Sequence, residues 1–139
     1  MDTELRAVEK EDWDFILNLR NEFYPNFYKQ TKPITKEEHY RYLEKQKSDT
    51  NFHHWMIGYQ QQTVGYVRII DSDVGIMINK EFQNKGIAIK ALELVEQKAK
   101  DLGIEKLIAL VKINNESSSK IFLKNNYKLK MYWYEKDIT

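Results

Sequence analysis

Large β-branched and aromatic side chains recur at alternate positions in three consecutive stretches, residues 52–59, 64–70 and 74–78. Such alternation lays one face of an extended strand on a core and leaves the other for solvent or a second layer. Short polar turns at 60–62 and 71–73 separate the stretches, which predicts an antiparallel meander.

A helical period flanks the meander. After an acidic start at 9–12, Trp13, Ile16, Leu17 and Arg20 follow helical spacing, and Pro25 ends or bends that element. A short strand is expected before it, at 5–8, and residues 21–33 read as irregular. Thr35 and Glu38 form a capping box for a second helix, with His39, Tyr42 and Leu43 on its inner face. The clearest helix carries Ala88, Ala91, Leu92, Val95, Ala99 and Leu102 in one stripe, and Gly103 suits its C-terminal cap. Residues 107–111 are apolar throughout, which predicts a buried strand parallel to 74–78. Asn114 or Asn115 caps a further helix, and 127–134 reads as a last strand with Leu129, Met131 and Trp133 on one side. The expected fold is a mixed α/β sheet flanked by about four helices, with a right-handed strand–helix–strand unit at its centre.

Composition narrows the class. A chain of 139 residues with 42% hydrophobic content suits one domain over 1–139. Lys and Arg total 22 against 21 Asp and Glu, so no global field points to nucleic acid. No apolar run would span a bilayer and no signal pattern opens the chain, so a cytoplasmic, membrane-free protein is expected. The absence of cysteine excludes disulfides, thiolate metal sites and cysteine nucleophiles. His39, His53 and His54 lack metal-ligand spacing, so no metal site is expected.

Between the third alternating stretch and the long helix lies Gln83-Asn84-Lys85-Gly86-Ile87-Ala88. The first helical turn leaves backbone N–H groups unpaired and adds partial positive charge, and Gly86 lets an anion approach closely. The loop therefore suits a pyrophosphate, with Lys85 as an added charge. It also suits a plain strand-to-helix turn, and it is neither a P-loop nor a dinucleotide fingerprint.

A second segment supplies the context. The pattern Gln83-x-x-Gly86-x-Ala88 is followed by Asn115-x-x-Ser118-x-x-x-Phe122-x-Lys124-x-Asn126-Tyr127. Together they resemble the GNAT superfamily, the Gcn5-related N-acetyltransferases, with Gln/Arg-x-x-Gly-x-Gly/Ala followed by Asn-x-x-Ser-x-x-x-Tyr-x-Lys-x-Gly-Phe. The resemblance extends less specifically from Leu5 to Tyr134. It implies a GNAT fold: a mostly antiparallel sheet with a splayed parallel strand pair, which here has room for one closing strand rather than the usual two. It also implies acetyl-CoA as cofactor. Main-chain groups of Ile76, Met77 and Ile78 would then pair with the pantetheine arm. Gln83, Asn84, Lys85, Gly86, Ile87 and Ala88 would form the pyrophosphate loop. Asn115 would bond the pantetheine, while Ser118 and Phe122 line its thiol end. Asn115 is equally a helix cap, whereas Phe122 taken alone reads as a core residue and Lys124 as a surface one.

The implied reaction is direct attack of a primary amine on the thioester, with a strand N–H, of Met77 or Ile78, stabilising the oxyanion. Phe122 stands where many relatives carry a Tyr that acts as general acid, and neither Tyr127 nor Tyr132 is selected by spacing. Asp73 and His54 are the candidate bases, with Asp71, Glu22 and His39 behind them. The aspartates also read as turn formers and His54 as a packed sheet residue.

For the acceptor, Leu19-Arg20-Asn21, an aromatic stretch and Ile34-Thr35-x-Glu37-Glu38-His39 are similar to a GNAT branch that acetylates nucleotide-linked amino sugars. Arg20 would meet a phosphate, and Tyr24, Phe27 and Tyr28 would stack on a sugar or base. Taken singly, these residues also read as a surface ion pair and core cover. The alternatives are acetylation of protein N-termini or small amines, and a non-catalytic acyl-CoA-binding domain. An open strand edge and the aromatic tail suggest a homodimer.

Overall fold

The alternating stretches pair as a meander. In the computed structural model, which describes residues 2–27 and 30–139, strands β1 (Thr3–Ala7), β2 (Phe52–Tyr59), β3 (Gln62–Ile70) and β4 (Asp73–Ile78) form an antiparallel sheet in that order. Two-residue links close both hairpins: Gln60 and Gln61 have φ of 50° and 68°, and Asp71 and Ser72 have 48° and 77°. Paired positive φ values give the turn whose twist matches that of the strands. Register then sorts the faces. Met56 lies opposite Tyr66, which lies opposite Met77, and all three belong to one core. Ile57, Val67, Ile69, Val74 and Ile78 belong to the other.

Helices cover the two faces. A 3-10 turn at Lys10–Asp12 leads into α1 (Trp13–Phe23), and α2 (Lys36–Gln46) lies beside it; Ile16, Leu19 and Leu43 pack on the first face. Buried Asp12 takes Arg6 through two 2.8 Å contacts and also accepts the Glu9 N–H, which fixes the entry to α1. α1 runs through Asn21 to Phe23, so the irregular span is shorter than its composition predicts. Pro25 sits inside the following 3-10 turn, Tyr24–Asn26. The Thr35–Glu38 capping box is present at the start of α2. α3 (Ile87–Asp101) lays Ala91, Leu92, Val95 and Ala99 on the second face, with Gly103 at φ 77° just beyond its end. α4 (Glu116–Lys124) adds Phe122 to that core.

Two expected strands do not form. Residues 107–111 touch the sheet through one parallel bridge, with Val74 N–H on the Ile108 carbonyl and Ile108 N–H on the Ser72 carbonyl, each 2.8 Å. Leu107, Ala109 and Val111 pack on the core, while Ile108 and Leu110 remain 44% and 41% exposed. Residues 127–134 carry no regular structure, and Leu129, Met131 and Trp133 are exposed. The reason is shared: an apolar run becomes a buried strand only when something covers both faces, and no described segment lies beyond 107–111.

Candidate active site

The free edge of β4 is the first element of the site. Val74 turns its N–H away from β3 toward Ile108. Main-chain direction repeats every second residue along a strand, so Ile76 and Ile78 also face outward. Met77 lies opposite Tyr66 and turns its main chain to β3, so the outward amides at this strand belong to its two neighbours. Among the described residues no strand pairs with this edge after the Ile108 bridge. The result is a splayed gap with N–H donors on one side.

The loop after β4 is the second element. Gln83 donates through Nε2 to the Ile78 carbonyl at 2.9 Å, which ties the loop to the strand end. Asn84 and Gly86 both take positive φ, 61° and 81°. A Cβ built on Gly86 meets nothing within 4 Å, so the main chain is open to a ligand there. The first return bond of α3 runs from Lys90 N–H to the Gly86 carbonyl at 3.1 Å. The N–H groups of Ile87, Ala88 and Ile89 precede it, and no acidic residue occupies the first turn. These free amides suit an anion.

A cavity of about 1190 Å³ joins both elements to α4 and to the helices on the opposite wall. Gln83, Asn84, Gly86 and Ala88 line it, whereas exposed Lys85 does not. On α4, Asn115 caps the helix by accepting the Ser118 N–H at 3.2 Å, and Asn115, Ser118 and Phe122 all line the cavity. Tyr127 does not replace the missing α4 hydroxyl. It packs under Phe122 with ring centroids 5.0 Å apart, and its hydroxyl is buried without a partner among the described residues. Burial, with Glu96 adding to it, pushes that hydroxyl up to about 12. Tyr132 is exposed.

The opposite wall gathers Arg20 of α1, His39 and Tyr42 of α2, and Tyr66, Arg68 and Asp73 of the sheet. Arg20 donates to His39 Nδ1 at 3.3 Å and to Gln30 Oε1 at 3.4 Å, and lies 5.2 Å over the Tyr42 ring. Burial lowers its pKa. Arg68 donates to the Asp73 carbonyl at 2.9 Å and sits 3.8 Å from its carboxylate. Gly75 makes room for this, because a Cβ there would lie 2.9 Å from the guanidinium carbon. Sequence reasoning did not single out Arg68; its signal is a charge on the inward side of an alternating strand.

Other candidates fall elsewhere. His54 faces a separate small cavity with Trp13 and Leu43, and its Nδ1 meets the Tyr66 hydroxyl at 2.9 Å. Burial chiefly, with His53, brings it down to about 4. Asp71 is exposed in a turn, and Glu22 pairs with Lys80 at 3.8 Å. Phe23, Asn26 and Phe27 line the cavity next to α1, but Tyr24 does not. Tyr28 lies outside the described residues. Among the described residues no group of three or more His, Asp or Glu could hold a metal, and no helix is long and apolar enough to cross a membrane.

A splayed strand edge beside an open helix start defines a mixed α/β fold with a cleft suited to an extended, anion-bearing ligand. The acetyltransferase (GNAT) domain family matches residues 2–128, and the chain belongs to that family of acetyltransferases, whose acetyl donor is acetyl-CoA. A crystal structure of a domain from Methanocaldococcus jannaschii DSM 2661 is similar, at 26% identity and TM-score 0.84, over 96% of this chain and 92% of that one. The spermidine N-acetyltransferase from Vibrio cholerae in complex with CoA and spermine matches at 21% identity and TM-score 0.77, over 88% and 79%. RimL, a ribosomal L7/L12 alpha-N-protein acetyltransferase in complex with coenzyme A, matches at 14% identity and TM-score 0.78, over 94% and 82%. The last two likenesses speak for the fold alone. No curated protein matches the sequence significantly.

Proposed function

We propose that this protein transfers the acetyl group of acetyl-CoA to a primary amine held between α1, α2 and β3. The observation that carries this reading is the single cleft joining the open β4 edge and the start of α3 to a polar wall of opposite origin. The cofactor supplies an acyl thioester whose carbonyl oxygen gains negative charge as the amine adds. The outward N–H of Ile78 or Ile76 stabilises that oxygen, a contribution of about 3 kcal/mol for one such donor. The amides of Ile87, Ala88 and Ile89 hold the diphosphate, and Asn115 and Ser118 line the arm.

Asp73 is the proton acceptor in this reading. It lines the cleft at the start of β4. His39 uses both ring nitrogens, and His54 opens on the neighbouring cavity. Phe122 has no proton to give, so the sulfur leaves without acid help from that position.

A nucleotide-linked amino sugar remains the acceptor favoured by the sequence resemblance, with small amines and protein N-termini as alternatives. The exposed apolar tail at 129–134 pairs with a second copy in this proposal. Calorimetry with acetyl-CoA tests the cofactor. A thiol-release assay with nucleotide-linked amino sugars, polyamines and peptide N-termini tests transfer. Coenzyme uptake with no turnover of any amine would leave a binding domain instead.

A further inference from the structure

Arg20 is a permanent cation, half-buried in the cleft wall, and its hydrogen-bond and ring partners among the described residues are neutral. A guanidinium does not lose its proton in proteins. Burying such a charge is costly unless something pairs with it. Yet its contacts are an imidazole, an amide oxygen and an aromatic face. Among the described residues no carboxylate lies within 4.0 Å of it.

His39 explains how it is held. The ring is fully buried, and Nε2 lies 2.8 Å from the Trp13 carbonyl. A carbonyl oxygen only accepts, so Nε2 carries the hydrogen. A guanidinium only donates, so Nδ1 offers its lone pair to Arg20. One tautomer satisfies both partners, and burial favours the neutral ring by lowering its pKa. The imidazole therefore aims the guanidinium without cancelling its charge.

The surroundings add to the positive field. Arg68 lines the same wall and its charge is felt at Arg20. Among the described carboxylates at the cavity, Asp73 lies against Arg68, and Glu116 stands at the start of α4. Asp49, also at the cavity, is exposed and accepts the Asn51 N–H at 2.8 Å. A polycation entering here would face two guanidinium groups.

We infer that the acceptor is a primary amine that also carries an anionic group, phosphate or carboxylate, received by Arg20 while His39 positions it. This names the acceptor class and rests on the acetyl-transfer reading for its turnover arm. Matched amines provide the test: O-phosphoethanolamine against ethanolamine, glucosamine 6-phosphate against glucosamine, and β-alanine for the carboxylate, with spermidine as the polycation. The anionic member of each pair should have a kcat/KM about 10- to 100-fold higher, the range of one charge-assisted hydrogen bond. R20Q should bring the ratio near one, and R20K should restore part of it.

A second measurement needs no turnover. Inorganic phosphate is titrated calorimetrically into wild-type and R20Q protein, with CoA saturating where it binds. Wild type should take up phosphate at least tenfold more tightly. Equal phosphate affinity in the two proteins, or preference for ethanolamine or spermidine, overturns the inference. Failure of acetyl-transfer shows separately, as absence of coenzyme uptake or thiol release while the Arg20-dependent phosphate binding persists.

Discussion

At the scale of single residues, the cleft separates groups that hold from groups that react. His39 spends both nitrogens on Arg20 and the Trp13 carbonyl, and Asp73, which lines the cleft, is the proton acceptor in the proposed reaction. Asp73→Asn should therefore lower kcat by about 10²-fold or more, with acetyl-CoA affinity by calorimetry unchanged. An unaltered kcat would mean that the amine arrives already neutral and needs no base. His54 makes a different prediction. Its pKa lies near 4 in the fold against 6.5 for the free side chain, so the unfolded chain holds more protons between those values. Stability from this ring is full above about 6.5 and is lost as pH falls toward 4. The loss should be on the order of 1 kcal/mol, reduced because the ring is part-exposed. Urea unfolding from pH 7 to 4.5 should show a shallower decline in His54→Gln, which can still meet the Tyr66 hydroxyl. Identical pH dependence in the two proteins would refute this assignment.

At the scale of elements, caps carry the site. Thr35 Oγ1 accepts the Glu38 N–H at 3.1 Å, and Glu38 accepts the Thr35 N–H at 3.0 Å. The next bond up the helix runs from His39 N–H to the Thr35 carbonyl at 3.0 Å. Losing the cap thus loosens the turn that presents His39 to Arg20. Thr35→Ala should cost about 1 kcal/mol in chemical denaturation and raise KM for the acceptor more than for acetyl-CoA. Thr35→Ser, which keeps the oxygen, should behave like wild type. A uniform rise in both KM values would show that the fraying is not confined to α2. Asn115 serves α4 in the same way, with its side chain on the Ser118 N–H, so cap and cavity lining coincide there.

At the scale of the whole molecule, the apolar surface is unevenly covered. Leu129, Met131, Tyr132 and Trp133 are at least 62% exposed, and Ile108 and Leu110 lie half-open. Large exposed apolar surface is uncommon on monomers and marks association. In the proposed homodimer this surface closes, and light scattering across a tenfold concentration range should return twice the chain mass. Substituting Met131 and Trp133 with Lys should shift the mass to that of one chain. A monomer at high concentration in the unmodified protein excludes the pairing.

Local signals were legible before any tertiary contact was known. Strand 52–59 follows from its alternation with the boundaries the fold shows. The α3 stripe, the Thr35–Glu38 box and the Asn115 cap depend only on neighbours within a turn or two. The resemblance to the family likewise rested on short spacings within 83–88 and 115–127, and the family's match over residues 2–128 bears it out. Tertiary structure alone decided the rest. Residues 107–111 and 127–134 have strand-like composition, yet whether they pair depends on what lies beside them, and no local pattern encodes that. His54 carried a plausible pKa for a base, but although it shares a sheet face with Tyr66 and Arg68 it lies one strand further from β4 and opens on a neighbouring cavity. Arg20, His39 and Arg68 come from two helices and a strand, and only packing brings two cations and one neutral imidazole to a common wall. Periodicity acts over a few residues, whereas charge balance in a cleft is set by segments far apart in the chain.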